Sequence, residues 1–241
     1  MMVTEDQASR ILEGLDKGVF PTFDVSRRDR PNPMEVVSRV MGDVPVGVPS
    51  CIDEFLVSYC TFLNAAKWGD KEARAKGQRR LVMASLDTCG EVNQNDVIHE
   101  IASAVVSKMV SPLIFTMSES PENASIRESL DEAYQACTLD EAPGSCFKAM
   151  RLVPYGSRAR EALGHVDQIF NTAVMNPGDA GYHLAMATIA ASKAAEGESD
   201  LDVDRLAENI EVAVGVLVDL DVPGCKWLPM TEEPAPAVMG M

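Results

Sequence analysis

The sequence predicts an all-α fold, a single multi-helix domain of about nine helices joined by proline-rich loops. Apolar residues recur at steps of three and four along most of the chain, whereas the alternating patterns typical of strands are sparse. Only 5% of the residues are aromatic, so the core must be built largely from aliphatic side chains. We expect one domain over residues 1–222, with 1–49 packing on its body, and an extended tail over 223–241.

The N-terminal part contains four predicted helices separated by prolines and glycines. Thr4 and Gln7 form a capping box at the start of the first helix, which ends near Gly18. The remaining helices are expected over 34–41, over 51–67 with a cap at Ser50, and over 70–86.

The middle of the chain contains three further predicted helices. Asn93 or Asn95 opens the first of them, and Pro112 is expected to kink or end it, because proline cannot donate a backbone hydrogen bond. A second helix is expected from Pro121 to about residue 136, and a short third helix lies between 143 and 154.

Three long helices are predicted in the last third of the chain. Asp179 is the predicted cap of the second helix, and Asp204 marks the start of the third. Residues 212–218 allow a second interpretation, a buried strand, but helix is favoured because the apolar spacing begins upstream at Leu206. Five positions on these helices are predicted core residues: Leu163, Phe170, Leu184, Ile210 and Leu217.

The charge of the chain is unevenly distributed. The net charge is −16; residues 1–90 hold 12 basic against 13 acidic residues, and residues 91–241 hold 9 against 24. The acidic C-terminal part should repel nucleic acid and anionic membranes. No apolar stretch is long enough to cross a membrane, and the N-terminus carries acids where a secretory signal needs bases. With six cysteines in no paired pattern, we expect a cytoplasmic protein with reduced thiols.

Sequence motifs identify no catalytic residue and no cofactor. The chain has no phosphate-binding loop, no dinucleotide-binding glycine pattern and no nucleophile elbow. The three histidines, His99, His165 and His183, are interpreted as surface or hydrogen-bonded core residues. Pairs of cysteines lie nine residues apart, which does not match the spacing of zinc knuckles.

One acidic segment resembles part of a calcium-binding loop. Three alternating aspartates and a later glutamate match the ligand spacing of an EF-hand, but Arg205 stands where that loop requires glycine. The alternative, which we favour, is that Asp204 caps the last helix and the other acids stabilise its N-terminus. The candidate ligands are Asp200, Asp202, Asp204 and Glu211.

A basic segment over residues 67–80 is the candidate interaction surface. One interpretation is that these residues form a solvated helix face. The other is that they form a docking surface for an acidic protein or for nucleic acid, and this segment is the only place in the sequence where we expect nucleic acid to bind. The residues assigned to that surface are Lys67, Lys71, Arg74, Arg79 and Arg80, with Trp68 beside them.

We therefore expect a structural or interaction protein that acts through protein contacts and assembles with copies of itself. Different, complementary surfaces on one chain give head-to-tail contacts, which close into rings or propagate as shells. An acidic binder that blocks a basic partner is the first alternative, because strong negative charge steers encounter with cationic proteins. An enzyme with an unrecognised all-α active site is the second.

Overall fold

The computed structural model describes residues 2–19, 31–44, 48–115, 142–173, 175–194 and 200–228, with isolated positions at 124, 125, 128 and 132. Within these residues the chain is all-helical and forms a single domain, which confirms the predicted fold class. One isolated antiparallel bridge joins Lys193 to Leu201.

Nine helices lie in the described part of the chain when the continuous stretch 94–115 is counted once. The first five are α1 (Glu5–Asp16), α2 (Pro33–Met41), α3 (Glu54–Asn64), α4 (Lys71–Ala84) and α5, which begins at Gln94. The others are α6 (Ala142–Leu152), α7 (Arg158–Thr172), α8 (Pro177–Ala191) and α9 (Val203–Asp219), followed by a 3-10 helix over Pro223–Trp227. Of the helix predicted over 121–136, only the isolated positions 124, 125, 128 and 132 are described, and each of them is helical.

Several predicted helix starts are confirmed by their hydrogen bonds. Thr4 Oγ1 accepts from the backbone N–H of Gln7 at 3.3 Å, and the Gln7 side chain accepts from the backbone N–H of Thr4 at 2.9 Å. These two bonds satisfy N–H groups that the first turn of a helix leaves without partners. Asp70 caps α4 and Asn93 caps α5 by a single bond each, in which the side chain accepts from a backbone N–H of the first turn.

Three predicted caps are wrong by a few residues. The N-cap of α3 is Asp53 rather than Ser50, because the Ser50 hydroxyl and N–H both bond to Asp43. The N-cap of α8 is Asn176 rather than Asp179, and that of α9 is Asp202 rather than Asp204. In α8 and α9 a residue of a cap-forming type lies two or three positions before the predicted one and is the N-cap instead. Pro177 is then in the first turn of α8, where proline is favoured.

Helix α5 continues past Pro112, where the sequence predicted a kink or an end. The segment Gln94–Ala104 continues into a π-helical turn, Val105–Val110, and then into Ser111–Phe115. The N–H of Ser111 bonds to the carbonyl of Val106, five residues back. A π turn inserts an extra residue into the helical ladder. The helix then continues through Pro112, which has no backbone N–H, as far as Phe115.

Helix α8 lies at the centre of the fold and packs most extensively against α7 and α3. Its inner face is rich in alanine, and a Cβ at Gly181 would overlap the backbone oxygen of Phe55 on α3. Small residues allow the backbones of α3 and α8 to approach closely. The five predicted core residues on α7, α8 and α9 are all buried. Residues 212–218 belong to α9 and are helical.

Both ends of the described chain pack against the body of the domain. Helix α1 packs on α2 and α4, and the 3-10 helix packs on α4. Gly224 is buried where a Cβ would overlap the backbone oxygens of Ala84 and Leu86. Residues 223–227 therefore form a packed 3-10 helix and not the start of the extended tail predicted over 223–241, and residues 229–241 lie outside the described part.

Candidate functional site

Arg74, a member of the predicted basic surface, is buried and contacts the protein interior. Its Nε donates to the backbone oxygen of Asn64 at 3.0 Å, and its Nη2 donates to that of Ala66 at 3.4 Å. Both acceptors lie at the C-terminal end of α3, where helical carbonyls lack partners and the helix dipole is negative. Arg74 therefore caps α3 instead of facing a partner.

Two other predicted contact residues on α4 form ion pairs within the protomer. Arg79 Nη1 lies 3.0 Å from Asp16 Oδ1 on α1. Arg80 Nε lies 2.9 Å from Glu211 Oε2 on α9. These pairs link α4 to α1 and to α9, and they neutralise positive charge for which the sequence showed no nearby acidic partner.

The remaining members of the predicted surface lie near the start of α4. Lys71 Nζ is 3.4 Å from Glu72 Oε1, and Lys67 is exposed. Trp68 is fully buried, and its indole Nε1 donates to the backbone oxygen of Leu63 at 2.9 Å. A buried tryptophan cannot stack on a base, so the segment lacks the aromatic platform typical of single-strand nucleic-acid binding.

The calcium candidates do not come together. Asp202 caps α9 by accepting from the N–H of Arg205 at 3.0 Å. Glu211 lies within α9 and is paired with Arg80. Among the residues that the structure describes, no group of three or more His, Cys, Asp or Glu side chains is arranged to hold a metal ion. The helix-capping alternative explains the acids, with Asp202 as the capping residue in place of Asp204.

A second basic segment, which sequence analysis missed, runs along α6 into the start of α7. No Asp or Glu occurs between Glu141 and Glu161, in the more acidic part of the chain. The basic residues of this run are Lys148, Arg151, Arg158 and Arg160. The sequence does show this basic segment, as a stretch without acidic residues. It was overlooked because residues 91–241 are strongly acidic when counted together.

Large apolar side chains are exposed within this second basic segment. Tyr155 is 93% exposed, Phe147 48% and Leu152 46%. The Arg160 guanidinium lies 5.3 Å from the centre of the Tyr155 ring, and its Nη1 donates to the Val153 carbonyl at 3.0 Å. A cation over an aromatic face is attractive, so Arg160 orients the exposed ring. We call Phe147, Arg151, Leu152, Tyr155 and Arg160 the basic–aromatic surface.

A groove of about 210 Å³ lies between α5 and α9. Its rim carries the acids Glu100 and Asp219, with Lys108 on α5 as a cation of the lining. Ser103 is buried in the lining, and its Oγ has no hydrogen-bond partner among the described residues. The remaining lining residues are small or apolar: Ala104, Ser107, Val216 and Leu220.

The structure also brings together two histidines that the sequence left apart. His165 on α7 and His183 on α8 place their Nδ1 atoms 3.1 Å apart. Burial lowers the pKa of both imidazoles, and the pKa of His165 is lowered further by the neighbouring His183. Asn176-Pro177-Gly178 already predicted two helices on either side of a turn. The sequence did not show that the face of α7 with His165 packs against the face of α8 with His183.

The three comparisons with known proteins give no relative. No protein-family model, no curated protein and no solved structure matches this chain. No helix of the described residues combines the length and the apolar character needed to cross a membrane.

Proposed function

We propose that this protein acts through protein–protein contacts and assembles with copies of itself through the basic–aromatic surface. The observation that carries the proposal is the exposure of Tyr155, Phe147 and Leu152 beside Arg151 in an otherwise acidic molecule. Tyrosine, phenylalanine and arginine are enriched at protein interfaces, and tyrosine and arginine often contribute most of the binding energy.

The acceptor that we propose on the second copy is the groove between α5 and α9. Glu100 and Asp219 supply negative charge at its rim, and Val216 and Leu220 supply apolar surface. The donor and acceptor are different surfaces, so the contact is head-to-tail and joins one copy to the next in a ring or an open array. Each exposed ion pair contributes about 0–1 kcal/mol, so the apolar side chains provide most of the affinity.

An intracellular setting fits this proposal. Four cysteines carry free thiols: Cys51, Cys60, Cys89 and Cys225. Burial raises the pKa of the Cys51 thiol to about 11 and that of Cys60 to about 12, so both remain protonated and unreactive.

Sedimentation velocity of the purified protein over a salt series tests self-assembly. We expect oligomers at low salt that dissociate partly as ionic strength rises, because salt screens exposed charges. If the protein is monomeric at high concentration in low salt, the self-assembly proposal is wrong. The alternative, an acidic protein that binds a basic partner protein, would then be tested.

Matched substitutions test which surface is used. Arg151→Glu and Tyr155→Ala should weaken assembly at least about tenfold, as expected for central interface residues. Lys76→Glu on α4 makes the same change in net charge, and Met175→Ala removes another highly exposed apolar side chain, so both controls should assemble normally. Equal weakening by Arg151→Glu and Lys76→Glu would mean that net charge governs assembly.

A further inference from the structure

The groove between α5 and α9 presents a buried hydroxyl that its own helix does not use. Hydroxyls in helices commonly donate to the carbonyl four residues back, as Ser107 Oγ does to Ser103 at 3.0 Å and Ser192 Oγ does to Thr188 at 2.7 Å. Ser103 Oγ makes no such bond to the His99 carbonyl, and it has no partner among the described residues. Only 6% of Ser103 is exposed, and the residue lines the groove. A buried hydroxyl without a partner is unfavourable, so an occupant that bonds to it is stabilised.

The size and the walls of the groove restrict what can enter it. Ala104, Val216 and Leu220 supply apolar surface beside Ser103. The volume of about 210 Å³ is below the range of about 300–1,000 Å³ typical of pockets for drug-sized ligands. The groove therefore suits a single protruding side chain that is apolar along its length and polar at its tip.

Part of the lining comes from the π turn of α5. Ser107 and Lys108 lie within this turn, Val105–Val110, and π turns occur frequently at functional sites. The positive charge of Lys108 disfavours a bare cation inside the groove, whereas it is attracted to the face of an aromatic ring. An aromatic side chain with a polar tip therefore fits the lining better than a lysine or an arginine does.

Tyr155 on the basic–aromatic surface has this chemistry. Its side chain is almost fully exposed, and the Arg160 guanidinium 5.3 Å from the ring centre holds the ring in place. Tyrosine has only two side-chain torsions, so ordering it at an interface costs little conformational entropy. A buried tyrosine hydroxyl usually has a hydrogen-bond partner. Both tyrosine and serine hydroxyls donate and accept, so either can be the donor to the other.

We propose that Tyr155 of a second copy enters the groove and that its hydroxyl forms a hydrogen bond with Ser103 Oγ. The ring then lies against the apolar wall at Val216, while Arg151 stays at the rim within the field of Asp219. This contact rests on the proposed function, and it identifies the residue pair that makes the donor surface specific for this groove.

A double-mutant cycle in the full-length protein, measured by sedimentation velocity, tests the hydrogen bond. Tyr155→Phe and Ser103→Ala should each raise the dissociation constant about 2–10-fold, because each removes one partner of the same bond. The double variant Tyr155→Phe/Ser103→Ala should be no weaker than the single variants. Ser38→Ala is the matched control, because Ser38 on α2 also has a buried hydroxyl without a partner among the described residues. It should leave the dissociation constant unchanged.

The cycle separates this contact from self-assembly itself. If the wild-type protein assembles but the losses of the single variants multiply in the double variant, the two hydroxyls do not meet and the contact is overturned. If Ser103→Ala weakens assembly and Tyr155→Phe does not, a different side chain of the second copy occupies the groove. If the wild-type protein is monomeric in low salt, the contact and the proposed function both fail.

Mixing two defective variants tests the pairing of the two surfaces. Tyr155→Ala keeps an intact groove, whereas Leu220→Arg keeps Tyr155 and places a repelling charge at an exposed position of the groove. At a concentration where each variant alone is monomeric, an equimolar mixture should form dimers and nothing larger, because only one of the two contacts remains possible. A mixture that stays monomeric, or that forms larger oligomers, overturns the pairing of Tyr155 with this groove.

Discussion

The carboxylate of Asp87 accepts a hydrogen bond from the backbone N–H of Val3 at 2.6 Å, joining the N-terminus to the turn that follows α4. The same carboxylate lies 3.2 Å from Lys226 Nζ and accepts from the Trp227 indole at 3.4 Å. The Asp87 side chain is fully buried. One acidic group therefore connects the first and last described segments of the chain.

Asp87→Asn should destabilise the protein by about 1–3 kcal/mol. Asparagine keeps the shape and tolerates the positive φ of 60°, so the loss measures the charge-assisted contacts rather than backbone strain. Asp221→Asn is the matched control, because Asp221 also has a positive φ of 52° but is exposed. Urea unfolding should show a change of less than about 0.5 kcal/mol for the control. Equal losses in both variants would contradict the assigned role of Asp87.

Arg74→Ala should cost about 1.5–3 kcal/mol of stability, because it removes two charge-assisted hydrogen bonds from the end of α3. Lys76→Ala, on the exposed face of the same helix, should change the free energy of unfolding by less than about 0.5 kcal/mol. The midpoint of urea unfolding checks both variants. If Arg74→Ala left stability unchanged and instead weakened assembly, Arg74 would belong to a contact surface after all.

Two glycines in helices should respond to alanine with opposite signs. At Gly181 a Cβ would overlap the Phe55 carbonyl, so Gly181→Ala should destabilise by about 1–3 kcal/mol. At Gly215 on α9 a Cβ would have no neighbour within 4 Å, so Gly215→Ala should stabilise by about 0.5–1 kcal/mol. Thermal unfolding of both variants checks the difference in sign. A stabilising Gly181→Ala would show that α3 and α8 are not in such close contact.

Local sequence signals predicted the helices well because each signal acts within a few residues. The capping box at Thr4 and Gln7 and the burial of Phe170 and Leu217 follow from spacing alone. The π turn over Val105–Val110 was not predicted, because the spacing of apolar residues does not distinguish such a turn from a turn of α-helix.

The site residues were harder to predict, because a charge in the sequence does not reveal its partner. Arg80 meets Glu211 across 131 positions, and His165 meets His183 across a turn. Such pairings depend on helix packing rather than on local pattern. The basic–aromatic surface was readable as a run without acids, but the exposure of Tyr155 required the fold.

The His165–His183 pair should make stability fall in mild acid. The folded-state pKa of each ring is lowered below its usual value of 6.5, so the unfolded chain binds protons first as the pH falls. The contribution of the neutral histidine pair to the free energy of unfolding is fully present above pH 6.5. It is lost as the pH falls from 6.5 toward the lower pKa values of the two rings in the folded protein. Urea midpoints at pH 7.5, 6.5 and 5.5 should therefore decrease in the wild-type protein.

The double variant His165→Gln/His183→Gln isolates this contribution. Burial raises the pKa of Asp53 and Asp167, so these carboxyls act in the opposite direction, gaining stability as the pH falls through their raised values. Because both carboxyls are present in both proteins, subtracting the two pH profiles leaves the histidine term. That difference should be near its high-pH value at pH 7.5 and shrink toward pH 5.5. A difference that does not vary with pH would mean that the two rings titrate as free histidines do.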